Sequence, residues 1–373
     1  MRILIAPDKF KGALNAREAA QNIAKGLLDV LLDAQVEIVP MADGGEGTAE
    51  AVCDARGSSW LECKVHDPLG REIDARYGWI EPEKLAVMEM SEAAGMRRLS
   101  ESERDPIRAT TFGVGEMILD ASKRGAKEII LGLGGSATND GGFGMARALG
   151  FEFDFEHEHE HEQARVTDLV ELEEIGKPKN LVLPRIIAAV DVKNPLLGEN
   201  GATRVFGPQK GVSKSDLDNL ERALTSLADV VATEFGFDYR DREGAGAAGG
   251  LGFGLLSFCG ATVRPGFQVV AEAVGLERKM KDVDLVITGE GSLDRQTLEG
   301  KTPAGVAALA RKLHKPVFAI VGRASDDREP RELFDGIYQN ARPGMSQQEN
   351  MKRAAELLRE NARELADTLG VGL

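Results

Sequence analysis

Six short apolar runs in this sequence end in residues able to do chemistry. They close as APDK at 6–9, MADGGE at 41–46, LGGS at 133–136, VD at 190–191, TGEG at 288–291 and VGR at 321–323. Glycine-rich turns aim consecutive backbone N–H groups at an anion, and carboxylates beside them supply the oxygen ligands that Mg²⁺ prefers. Asp8, Asp43, Asp191 and Glu290 are the carboxylates, and Lys9, Lys11 and Arg323 the cations. Ligands of open parallel sheets bind outside the carboxyl ends of the strands, where helix amino termini also point. Six such ends together read as an active-site cleft, and phosphoryl transfer from a nucleotide is the chemistry that needs both anion nests and carboxylates.

Each motif also has a plainer reading. Asp43 and Asp191 would serve as helix caps or turn residues, and Lys9 and Lys11 as solvated loop charges. The glycine string GLGGSATNDGG at 132–142 is more polar at Ser136, Thr138, Asn139 and Asp140 than a tight turn requires, which favours phosphate contact. The GKT at 300–302 misses the Walker pattern because Arg295 stands where its first glycine belongs. GAGAAG at 244–249 follows YRDRE, which is not a strand, so it reads as close packing; a nicotinamide-dependent dehydrogenase is disfavoured with it. Phe151, Phe153 and Phe155 alternate with acidic residues, and the alternation continues as His157, His159 and His161; the segment reads as an extended strand or hairpin arm at the surface, its Glu-His part between Glu156 and Glu162 solvated and fit at most for adventitious nickel or zinc. Cys53, Cys63 and Cys259 show no CxxC spacing, so neither a disulfide framework nor a thiolate zinc site is suggested, and a reducing cytoplasm fits.

The elements that must position these groups follow from the apolar pattern. Residues 3–6 form a strand stopped by Pro7, and NARE at 15–18 opens a helix with a capping box. Residues 36–39 are a second buried strand and 48–55 a helix, giving the β-α-β-α order of a parallel sheet. Stretches 60–65 and 71–80 flank the turn sequence DPLG and read as a hairpin, with 85–90 a further strand. A helix at 111–124, strands at 128–133 and 185–190, and a helix at 213–235 come next. Strands at 284–288 and 316–321, a helix at 303–312 and one long helix at 346–369 restore the first pattern. The chain therefore reads as α/β: a Rossmann-like parallel-sheet domain built from both termini (1–65 plus 282–373), with a second mixed α/β domain (66–281) inserted. The crossings near residues 65 and 281 are its expected hinges.

Composition sets the partners. The 373 residues carry 46 Lys plus Arg against 61 Asp plus Glu, a net charge of −15, which argues against nucleic acid or an anionic membrane as partner. Residues 151–175 hold ten acidic residues and one basic one, so much of that charge is local. No window approaches 18 apolar residues, and the expectation is an unexported, cytoplasmic protein. Oligomeric state is not legible.

The strings APDKFKG at 6–12, PMADGGEGT at 40–48, 132–142, DVKNP at 191–195, FGPQKG at 206–211 and TGEG at 288–291 resemble, essentially end to end, the bacterial glycerate kinases. The resemblance implies transfer of the γ-phosphoryl group of ATP to D-glycerate with Mg²⁺, commonly giving 2-phosphoglycerate, by two α/β domains of which one interrupts the other. The Glu-His arm departs from the family pattern. Chemistry then assigns roles. Gly134, Gly135, Ser136, Thr138 and Asn139, with Gly289, Gly291 and Ser292, bind the nucleotide phosphates; Asp191 and Glu290 are metal candidates. Asp191, Lys9 and Asp43 are the catalytic candidates, and Asp8, Lys11 and Arg323 contact substrate. The alternatives are a 3-phosphoglycerate-forming kinase, a kinase of another small hydroxy acid, and a nonenzymatic small-anion sensor.

Overall fold

A computed structural model describes residues 1–156 and 164–371. The chain divides into two compact units: residues 1–43, 50–56 and 265–373 form the first, and 44–49 and 57–264 the second.

In the first unit five parallel strands lie in the order Gly336–Gln339, Val317–Val321, Leu285–Thr288, Arg2–Ile5, Gln35–Ile38. The capping box forms as expected: Asn15 Oδ1 accepts from the Glu18 amide at 2.8 Å and Glu18 Oε2 from the Asn15 amide at 3.0 Å. Helix Ala16–Leu28 then buries Ala19, Ala20, Ile23 and Leu27 against Leu358, Ala362, Leu365 and Ala366 of helix Ala354–Val371. The contact is close enough that a Cβ at Gly26 would sit 2.4 Å from the Arg359 carbonyl oxygen. The sequence from strand Arg2–Ile5 winds to one side of the sheet and that from Leu285–Thr288 to the other. The crevice between these two strands is therefore the topological switch point, where ligands of such sheets bind.

The second unit carries a six-stranded mixed sheet in the order Thr262–Pro265, Arg185–Val190, Glu128–Gly132, Leu85–Glu89, Glu72–Ile80, Ser59–His66. Arg185–Val190, Glu128–Gly132 and Leu85–Glu89 are parallel, and the last two strands form the expected antiparallel hairpin. Its turn is fixed by Asp67, whose Oδ1 accepts from the amides of Leu69 and Arg71 at 2.8 and 3.0 Å. Tyr77, Met88, Met117, Leu131 and Phe253 lie at the centre of the core.

Three expectations need correction, and three strands are additions to the expected set. The strand near residue 36 is not buried: Gln35–Ile38 is a sheet edge, half-exposed along its length. The described part of the arm is a strand as expected, Glu152–Phe155 paired with Leu172–Gly176, but it does not stand free at the surface. Phe151 and Phe153 are buried against Phe258 and Phe143, Phe155 is half-buried, and Glu152 and Asp154 face solvent; the three histidines lie outside the described residues. The long terminal helix is two, Gln347–Lys352 and Ala354–Val371, divided at Arg353. Strands Leu172–Gly176, Thr262–Pro265 and Gly336–Gln339 were not expected at all.

Candidate functional site

At the switch point of the first unit the expected residues come together. Pro7 and Asp8 continue strand Arg2–Ile5, and the Asp8 amide donates to the Gly289 carbonyl at 2.8 Å, joining the two strand ends. Asp8 is buried; its Oδ1 accepts from the Lys9 amide at 2.6 Å and its Oδ2 from the Thr302 hydroxyl, also at 2.6 Å. Burial pushes the Asp8 carboxyl up to about 6, with Lys9 pulling it back. The Lys9 ammonium stands 3.8 Å from Asp8 and 4.0 Å from Asp43. Gly289 must be glycine, since a Cβ there would meet the Ile320 carbonyl at 2.0 Å. Gly291 lies against the Lys11 amide, and Arg323 donates from Nε to the Ser292 hydroxyl at 3.0 Å. Lys11 and Arg323 are exposed.

Glu290 is buried beside them and accepts from the Thr297 hydroxyl at 2.7 Å. Burial raises its carboxyl to about 7, against smaller opposing effects of the Thr297 hydrogen bond and Lys301. The folded chain thus keeps a proton that the unfolded chain releases near its ordinary 4.5, so stability falls as pH rises from about 4.5 to 7 and then levels. Glu290→Gln, which retains an acceptor for Thr297, is expected to be more stable than wild type by an amount that grows across this window. At about 1.4 kcal/mol per pH unit the gain is on the order of 3 kcal/mol. Urea unfolding of both proteins in metal-free buffer at pH 4.5 and 8 measures it; a difference that does not change with pH means Glu290 is ionised throughout.

In the second unit, Gly134 and Gly135 follow strand Glu128–Gly132 and reach the surface, while Ser136, Thr138, Asn139 and Asp140 are buried behind them. Gly134 packs on residue 45 so closely that a Cβ would lie 2.4 Å from the Gly45 Cα. That second glycine loop is held by Glu89, whose Oε1 accepts from the amides of Gly47 and Ala49 at 2.9 and 3.0 Å. Burial pushes the Glu89 carboxyl up, opposed by these amides. Asp191 is exposed at the end of the buried strand Arg185–Val190. The GAGAAG string packs as expected: Cβ atoms at Gly246 and Gly249 would meet the Pro195 and Thr138 carbonyl oxygens at 2.1 and 2.0 Å.

The expected set thus falls into two groups, one at the strand ends of each unit. Sequence reasoning does not reach Thr297 or Glu89, and it meets Thr302 only in the GKT string it sets aside. Glu89 carries a signal of its own, as a lone acid closing the apolar run LAVME. Among the described residues no three His, Cys, Asp or Glu side chains gather as a metal cage, and no helix is long and apolar enough to cross a membrane.

The sequence model of the glycerate kinase family matches residues 3–370. The chain is 43% identical to the glycerate 2-kinase of Escherichia coli K12 over 88% of its own length and 86% of that protein's. It is 40% identical to the glycerate kinase of Bacillus subtilis 168, covering 99% and 98%. A solved Salmonella typhimurium LT2 chain assigned as glycerate kinase 2 superposes with a TM-score of 0.85 at 39% identity, covering 100% of this chain and 99% of that one. An α/β chain whose strand ends carry these glycine loops and carboxylates, matched over nearly its whole length, belongs to the glycerate kinase family.

Proposed function

We propose that this chain phosphorylates D-glycerate with ATP and releases 2-phosphoglycerate. The observation that carries the reading is the gathering of Asp8, Lys9, Asp43 and the 289–292 turn at the switch point of a parallel sheet, in a member of this family. Gly134 and Gly135, half-exposed and exposed, bind nucleotide phosphate through their backbone amides, with the residues behind them setting the loop's shape. Lys9 and Arg323 hold the glycerate carboxylate or neutralise charge developing on the transferred group. The glycerate hydroxyl oxygen forms the new bond to the γ-phosphorus as the bond to the ADP oxygen breaks, and its proton passes to a carboxylate, for which Asp191 is the candidate.

Mg²⁺ fits the donor chemistry, because the carboxylates at the strand ends are hard oxygen ligands and the ion characteristically completes its shell with phosphate oxygens and water rather than a full protein cage. Glu290 in the first unit and Asp191 in the second are each, taken separately, a carboxylate that would ligate it. When bound, the ion screens phosphate charge.

The 2-hydroxyl is proposed because the Escherichia coli relative is a glycerate 2-kinase. Incubation with ATP, Mg²⁺ and D-glycerate, followed by phosphorus NMR, is expected to give the 2-phosphoglycerate resonance. A clean 3-phosphoglycerate signal overturns the regiochemistry, and absence of any phosphoglycerate overturns the activity.

A further inference from the structure

One charged group in the second unit is buried without taking part in the chemistry above. Lys210 ends helix Ala202–Lys210, is almost wholly enclosed, and donates from Nζ to the Thr138 carbonyl at 2.7 Å. Two turns earlier the same helix presents Thr203, whose hydroxyl accepts from Asn139 Nδ2 at 2.9 Å. Seven residues bring two side chains back to nearly the same face, about 10 Å apart along the axis, and helical side chains lean toward the amino terminus. The long Lys210 side chain covers much of that distance, and one short helix thereby grips two consecutive loop residues, Thr138 and Asn139. The Thr138 carbonyl also packs on Gly249, at φ +69°, where a Cβ would lie 2.0 Å from its oxygen. The loop at this point is held by both contacts.

These polar groups are expensive as core. Thr138 Oγ1 and Asn139 Oδ1 are buried and have no hydrogen-bond partner among the described residues, and an ammonium is withdrawn from water beside them. Burial pulls the Lys210 amine down to about 7, with the Asp140 carboxylate pulling it back. Apolar residues of similar size would fill this volume at less cost to folding. What the polar set adds is a fixed Thr138 carbonyl, three residues after the exposed Gly135.

We propose that Lys210 is a positioning residue for nucleotide binding: by holding the Thr138 carbonyl from beneath, it keeps Gly134 and Gly135 in the conformation that receives phosphate. The proposal rests on the reading of residues 134–142 as a phosphate loop. Three variants separate the two ideas: Lys210→Met removes the ammonium, Thr203→Val removes the second grip while keeping its shape, and Gly135→Ala disturbs the loop directly at φ +73°.

ADP affinity by calorimetry, the KM values for ATP and glycerate, and a thermal melt are measured for each. Gly135→Ala is expected to weaken ADP. Lys210→Met is expected to raise the ADP Kd and the ATP KM about tenfold or more, and Thr203→Val about threefold, with the glycerate KM within twofold of wild type in both. If Gly135→Ala weakens ADP while folded Lys210→Met binds it as wild type does, positioning by Lys210 is overturned and the loop reading stands. If Gly135→Ala leaves ADP binding unchanged, the loop reading fails and the proposal with it. Should the melt show Lys210→Met unfolded, Thr203→Val decides: unchanged ADP affinity overturns the proposal. Equal increases in both KM values would mean general loosening, which also overturns it.

Discussion

Asp191→Asn is expected to lower kcat by about two to four orders of magnitude, the range for losing a general base, while the melting temperature stays close to wild type. The residue stands one step beyond a strand whose last five residues are buried, and is itself exposed. The chain after it is fixed further on: Asn194 donates from Nδ2 to the Asn200 carbonyl at 2.8 Å and accepts at its own carbonyl from the Gly246 amide at 2.9 Å. Pro195 keeps Asn194 out of helical geometry, so residues 191–194 remain a loop at the sheet's carboxyl edge. A carboxylate here can accept the glycerate hydroxyl proton or ligate Mg²⁺, and both roles need its charge. Asparagine preserves the size and, if the residue only shapes a turn, most of the hydrogen bonding, at a cost well under ~1 kcal/mol. Steady-state kinetics beside a thermal melt therefore divides the readings. Unchanged kcat removes Asp191 from the chemistry, and a large fall in melting temperature assigns it to the fold.

What could be read in advance follows a physical divide. Apolar runs that stop at glycine or an acid mark buried strands and their ends, so Asp8, Asp43, Gly134, Asp191 and Glu290 are legible from local sequence alone. The groups that tune them are not. The Thr302 hydroxyl reaches Asp8 across 294 positions of sequence, and no spacing rule connects a helix start to a carboxylate that distant. Gly336–Gln339 is a four-residue edge strand, half-buried throughout, and carries too little periodicity to announce itself. The alternation at 151–155 is legible as a strand, but its acidic face is not the whole character of the segment. Period two says only that the faces differ, and the Phe151 and Phe153 face belongs to the core. The buried polar residues Ser136, Thr138 and Asn139 show the same limit: polarity in a glycine loop signals a site, while their depth behind Gly134 and Gly135 is a property of packing.

Asp140→Ala is expected to destabilise the chain by about 4 kcal/mol or more, a larger change in stability than either Glu290→Gln or Asp191→Asn should produce. The Asp140 carboxylate is buried and accepts four hydrogen bonds: from the Thr111 amide at 2.8 Å, the Thr111 hydroxyl at 2.9 Å, and the amides of Gly142 and Gly144, each at 3.2 Å. Burial pushes this carboxyl up, with Thr111 and the glycine amides pulling it back. It thereby ties the first turn of helix Phe143–Ala148 to the residue preceding helix Phe112–Lys123, and Thr111 passes the tie on by accepting from the Met145 amide at 2.9 Å. Alanine strands three buried N–H groups, each costing about 1–3 kcal/mol, and leaves the Lys210 ammonium without its nearby negative charge. Asparagine is expected to cost about half as much, because its single carbonyl oxygen serves the three donors on one side while its amide faces the Gly142 N–H. Urea unfolding of wild type, Asp140→Asn and Asp140→Ala should therefore rank them in that order. If alanine costs less than about 1 kcal/mol, water has replaced the carboxylate, and Asp140 does not anchor the loop that carries Gly134 and Gly135.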